Sequence, residues 1–126
     1  MAKKILITEN DADVKLLLSS MLKNRFSLSF IDSGRQLLQG LFEKPDLFII
    51  NSQLHDANIL EVCKALKSNE RTKGVPILIV SASIDIEELM EECPGDDYIS
   101  KPFSGSDLQK KIDEIISEKA LGNLYK

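Results

Sequence analysis

Pro45-Asp46-Leu47-Phe48-Ile49-Ile50-Asn51-Ser52 sets four consecutive large apolar residues between a Pro-Asp pair and two polar residues. The run does not alternate, so both of its faces must be buried. That is how a strand reads inside a parallel sheet covered by helices on both sides. Ile5-Leu6-Ile7 and Ile77-Leu78-Ile79-Val80 have the same form, and Tyr98-Ile99 is a weaker version of it. Leu28-Ser29-Phe30-Ile31 alternates and suits a strand nearer the edge.

Helical periodicity fills the gaps between these runs. Val14, Leu17, Leu18 and Met21 follow the i, i+3, i+4, i+7 spacing of one buried face, with Asp11 or Asp13 placed to cap it. Leu37, Leu38, Leu41 and Phe42 mark a second helix, entered through Asp32-Ser33-Gly34 and stopped before Pro45. Ile59, Val62, Cys63 and Leu66 mark a third, and Ile86, Leu89 and Met90 a fourth. The fifth carries Leu108, Ile112, Ile115 and Ile116, with Ser104 and Asp107 spaced as a capping box. Strands and helices that alternate in this way imply right-handed crossovers and a doubly wound α/β sheet. In such sheets ligands bind beyond the carboxyl ends of the strands. The places to inspect are therefore Glu9 and Asn10, Asn51 and Ser52, Ser81 and Ala82, and Lys101 with Pro102.

At 126 residues the chain has room for one domain with a proper core, and 43% hydrophobic with 29% charged residues is ordinary globular composition. A formal net charge of −4 and the absence of a basic stripe argue against nucleic-acid binding by this domain. The apolar run behind Lys3 and Lys4 is too short for a signal-peptide core or a membrane span, so a cytoplasmic location is expected. Cys63, Cys93 and a lone His55 suggest neither a zinc site nor a disulfide framework, and Cys63 reads as a small core hydrophobe. One domain over residues 1–121 is expected, followed by a loose tail over 122–126.

The residues at the four strand ends, taken in order, resemble the receiver family of two-component signalling from Lys3 to about Glu118. An acidic cluster follows the first strand, here Glu9-Asn10-Asp11. The Pro-Asp pair and third strand lead to Asn51, where the family carries its phosphoacceptor aspartate. Ser81-Ala82 follows the fourth strand, and Tyr98 precedes Lys101-Pro102-Phe103. The resemblance implies a flavodoxin-like (βα)5 fold with strand order 2-1-3-4-5; a chemotaxis receiver is a standard example of that order. It also implies a pocket of Glu9, Asn10, Ser81 and Lys101, a switch pair of Ser81 and Tyr98, and a cis Lys101-Pro102 bond.

Against that pattern Asn51 is a departure, because an amide nitrogen delocalised into its carbonyl is no nucleophile for a phosphoryl group. Asn10 is a second departure. Magnesium prefers anionic oxygens, and of three acidic positions implied by the resemblance only Glu9 remains, so the degenerate set Glu9, Asn10 and Asn51 is expected to bind magnesium weakly or not at all. Asp11 falls one step beyond the pocket and reads as a helix cap. Crowded carboxylates repel by about 4 kcal/mol per pair at about 4 Å, so losing two of them relieves the pocket.

Taken without the resemblance, Asn51 is a turn former, Ser81 a satisfied hydroxyl, Tyr98 a half-buried strand aromatic, and Lys101 a solvated loop residue. With it, the expected function is a non-enzymatic, phosphorylation-independent protein-interaction module without a cofactor. Its partner face would be the fourth helix, fifth strand and fifth helix, where Glu87, Glu88, Glu91 and Glu92 would suit a basic partner. The alternatives are a phosphorylatable receiver using Asp46 or Asp56 as substitute acceptor, a chain engineered at Asn51, and a flavin protein of similar topology. The last would need a glycine-rich phosphate loop in place of Thr8-Glu9-Asn10-Asp11.

Overall fold

A computed structural model describes residues 3–82, 86–92 and 97–124, with side chains described as far as 118. Five parallel strands, β1 (Lys3–Thr8), β2 (Phe26–Ile31), β3 (Leu47–Asn51), β4 (Ile77–Ser81) and β5 (Asp97–Ser100), form one sheet in the order β2-β1-β3-β4-β5. The helices between and after them are α1 (Ala12–Leu22), α2 (Gly34–Leu38), α3 (Ile59–Ser68), α4 (Ile86–Glu92) and α5 (Gly105–Leu124). The order is the flavodoxin-like one, reversing between β1 and β3, so the crevice at that switch point lies over the ends of these two strands.

The period-2 geometry of the strands divides the core in two. Ile5, Ile7, Leu47, Ile49, Leu78 and Val80 face Leu18 and Leu22 of α1 and Leu108, Ile112 and Ile115 of α5. Leu6, Phe48, Ile50, Ile77 and Ile79 face Leu37 of α2, Val62, Cys63 and Leu66 of α3, and Ile86 of α4. Leu47, Phe48, Ile49 and Ile50 are all buried, as their unalternating run requires. Each such side chain contributes about 1.5–3 kcal/mol of transfer free energy.

Local signals set the helix ends. Asp11 caps α1, its carboxylate accepting from the N–H groups of Asp13 and Val14. The Ser104 hydroxyl accepts from Asp107 N–H, the expected first half of a capping box. α2 is shorter than the apolar spacing suggests. Gly40 takes φ 71, and the bonds from Gly40 N–H to Leu37 O and from Leu41 N–H to Gln36 O close a Schellman turn. The helix therefore ends at Leu38 and buries only Leu37 of its apolar side chains; Leu38 and Leu41 are exposed, while Phe42 packs back onto the core. Leu17 likewise stands exposed on α1, because the helix buries Leu18 and Leu22 and only partly covers Val14 and Met21. α5 continues to Leu124, past the Gly122 at which a loose tail is expected. Cys93 lies outside the described residues; Cys63 is buried in the core.

Candidate functional site

The carboxyl ends of β1, β3 and β4 bring Thr8, Asn51 and Ser81 to one edge of the sheet, the loop after β1 adds Glu9, and the loop after β5 adds Lys101. Glu9 is 3% exposed, an unusual position for a carboxylate, and its two oxygens are both engaged. Oε1 accepts from Lys101 Nζ at 2.8 Å. Oε2 accepts from Asn51 Nδ2 at 2.7 Å and from the Asn10 backbone N–H at 3.0 Å. A buried carboxylate is tolerated only when opposite charge and donors replace its hydration, and here one ammonium and two N–H groups do so. The Lys101 side chain is 23% exposed, so the ion pair lies at the mouth of the pocket with its anion inside.

Asn51 uses both ends of its amide. Nδ2 donates to Glu9, and Oδ1 accepts from Gln53 N–H at 2.9 Å, an Asx-type turn at the start of the β3–α3 loop. Its backbone N–H donates to Thr8 Oγ1 at 3.1 Å. A carboxylate at this position could accept from Gln53 but could not donate to Glu9. The residue type and its surroundings match in both directions, which is the consistency a settled network shows.

Ser81 is fully buried, and its hydroxyl accepts from Ser52 Oγ at 2.7 Å. Its carbonyl accepts from Lys101 N–H at 2.8 Å, which ties the end of β4 to the turn bearing the lysine. The Lys101-Pro102 peptide bond is cis. Tyr98 is half-buried against the α2–α4 side of the core and pairs in register with Ile79, two residues before Ser81. Asn10 is exposed and reaches the pocket through its backbone alone. Asp11 spends its carboxylate on the α1 cap, outside the pocket. A shallow apolar hollow of about 410 Å³, lined by Val14, Leu17, Ala82, Lys101, Pro102 and Phe103, adjoins the lysine on the α1 side.

Ser52, at one of the four strand ends singled out from the sequence, belongs to this site, and so do Thr8 and Gln53, to which the sequence assigns no role. The signal for Thr8 and Ser52 is their place at the carboxyl ends of buried strands, where a hydroxyl must find a partner. Gln53 contributes only a backbone N–H, which no sequence pattern announces. Asp46 and Asp56 stand elsewhere with their carboxylates in use. Asp46 Oδ2 accepts from Lys4 N–H at 2.7 Å at the opposite end of the sheet. Asp56 accepts from Ser33 Oγ at 2.6 Å and Gly34 N–H at 2.8 Å, and the Ser33 hydrogen bond, with help from the backbone N–H groups, holds its pKa below the usual carboxylate value. Among the described residues no three His, Cys, Asp or Glu side chains are grouped to hold a metal ion.

Fold and pocket together define a flavodoxin-like α/β domain with a lysine-bearing polar site over its topological switch point. Residues 5–113 match the response regulator receiver domain, and the chain belongs to that family of two-component signalling domains. It is 31% identical over 116 residues to the DNA-binding response regulator MtrA of Mycobacterium tuberculosis, covering 89% of this chain and 50% of that protein. The chain thus spans about half the length of the curated relatives it matches. A putative response regulator from Chloroflexus aurantiacus superposes with a TM-score of 0.84 at 25% identity, over 93% of this chain and 99% of that one. The receiver domain of a Pseudomonas aeruginosa sensor histidine kinase, solved with a magnesium ion in its active-site cleft, gives 0.79 at 19% identity, over 90% and 97% of the two chains. Among the described residues no helix is long and apolar enough to cross a membrane.

Proposed function

We propose that this receiver domain regulates a protein partner without being phosphorylated at position 51. The observation that carries the reading is the closed network around Glu9, in which the Asn51 amide is donor to Glu9 and acceptor from Gln53. An amide in that role has no anionic oxygen to attack phosphorus. Magnesium fits the donor set poorly. Among the described residues the one carboxylate in the pocket already holds Lys101, Asn51 and Asn10, and the neutral amides of Asn10 and Asn51 stand where hard anionic ligands would be needed. Lys101 supplies the positive charge that a cation would otherwise bring. No cofactor and no enzymatic turnover form part of this reading.

The partner face is the one formed by α4, β5 and α5. Glu87, Glu88, Glu91 and Glu92 are all exposed on α4, and a basic surface on the partner would complement them. Binding must supply the free energy for any change in the Ser81–Tyr98 pair, since no phosphoryl group does so. The acidic net charge speaks against nucleic-acid contact by this domain, and a cytoplasmic setting follows from the signalling role. Use of Asp46 or Asp56 as a substitute acceptor is disfavoured because each carboxylate is committed to a structural bond away from Lys101.

Incubation with magnesium and acetyl phosphate, followed by intact mass measurement, tests the reading. No adduct is expected; a stoichiometric, base-labile phosphoryl adduct would overturn it.

A further inference from the structure

Asp56 lies on the loop 52–58 between β3 and α3, yet its carboxylate orders the first turn of a different helix. Oδ2 accepts from the Ser33 hydroxyl at 2.6 Å and from Arg35 N–H at 3.4 Å, and Oδ1 accepts from Gly34 N–H at 2.8 Å. Ser33 Oγ passes the arrangement on by accepting from Gln36 N–H at 3.1 Å. The opening N–H groups of α2, which have no partner inside the helix, thus depend on one residue of a distant loop. Packing enforces the same contact. A Cβ on Gly34 would lie 2.7 Å from Ala57 Cβ and 3.0 Å from Leu54 Cδ1, so glycine lets the loop press directly on the helix start.

The other end of this loop is fixed in the pocket. Gln53 N–H is held by Asn51 Oδ1, Ser52 N–H by the Val80 carbonyl, and Asn58 caps α3 through the N–H groups of Leu60 and Glu61. A short segment pinned at both ends and in the middle has little slack in which to absorb a displacement.

We propose that loop 52–58 mechanically couples the Asn51 pocket to α2, with Asp56 as the positioning residue midway along it. A change in what Asn51 binds is transmitted to the first turn of α2. That helix carries the half-exposed Leu38 and leads directly to the exposed Leu41, so the coupling reaches an apolar surface. The inference is independent of whether position 51 is phosphorylated.

Amide hydrogen exchange on the ¹⁵N-labelled full chain provides the readout. Asn51→Ala removes the acceptor of Gln53 N–H and adds no charge. It is expected to speed exchange at Gly34, Arg35 and Gln36 by about fivefold or more, the equivalent of one hydrogen bond. Leu108 and Ile112 in α5 report whether the change is local and are expected to keep their wild-type rates. In an Asp56→Asn background the three α2 amides exchange fast from the start, and adding Asn51→Ala changes them by less than about twofold. The coupling is refuted if Asn51→Ala frees Gln53 but leaves the α2 amides at their original rates. It is equally refuted if the response persists undiminished without the Asp56 carboxylate. Should Asn51→Ala not fold, Asn51→Leu, which fills the same volume and likewise offers Gln53 N–H no acceptor, supplies the perturbation, and Asp56→Ala serves in place of Asp56→Asn on the same criteria.

Discussion

At Glu9 a carboxylate that is 3% exposed meets an ammonium, a side-chain amide and a backbone N–H, all within 3.0 Å. Glu9→Gln removes the charge but keeps the volume, leaving Lys101 without its counterion and setting an amide against the Asn51 amide. A loss of about 1–3 kcal/mol is expected in urea unfolding, from the broken pair and its hydrogen bonds. At Asp56 the Ser33 hydroxyl lowers the carboxyl pKa in the folded state. The group binds its proton more readily when unfolded, so its stabilising contribution is complete above the ordinary value of about 4 and fades as the pH falls through the lowered one. Acid titration followed by amide exchange should therefore show α2 loosening only below about pH 4, and Asp56→Asn should abolish that step. The roles of these residues differ in legibility. Glu9, Asn51 and Lys101 fall at strand ends that the apolar runs mark out. The bonds from Asp56 to Ser33 and from Asn51 to Gln53 N–H depend on loop geometry, and no periodicity encodes it.

Among the elements, α2 shows where sequence reading stops. Its apolar positions continue helical spacing to Phe42, but Gly40 in the left-handed region closes a Schellman turn after Leu38. The spacing is real, yet the turn takes precedence because it satisfies the final carbonyls, and Leu41 is sent to solvent as a result. The opening of the helix is constrained just as tightly. Gly34→Ala would set a methyl 2.7 Å from Ala57 Cβ, and overpacking of this kind costs about 1–3 kcal/mol despite the better helix propensity of alanine. Thermal unfolding of that variant should show the lower Tm. The strands behave in the opposite way. Buried on both faces, they can be read directly from Leu47–Ile50 and Ile77–Val80, because a run without alternation has no other comfortable home in a domain of this size.

For the whole molecule, the order β2-β1-β3-β4-β5 places a switch point between β1 and β3, and the Glu9–Asn51 bond spans it. Because Lys101 already neutralises Glu9, a divalent cation would have to displace Lys101 or the Asn51 amide to bind at this carboxylate. Adding millimolar magnesium is therefore expected to leave Tm unchanged, and a concentration-dependent rise would reveal a site selective for the folded state. The closed network also bears on the order in which substitutions can accumulate in a lineage. Asn51→Asp as a first step sets a second carboxylate against buried Glu9 with a single lysine between them, whereas Asn10→Asp adds its charge at an exposed position. The mutational path toward an acidic cluster thus runs uphill if it begins at position 51 and is gentler if it begins at position 10. A descendant with aspartate at 51 is expected to carry the change at 10 already.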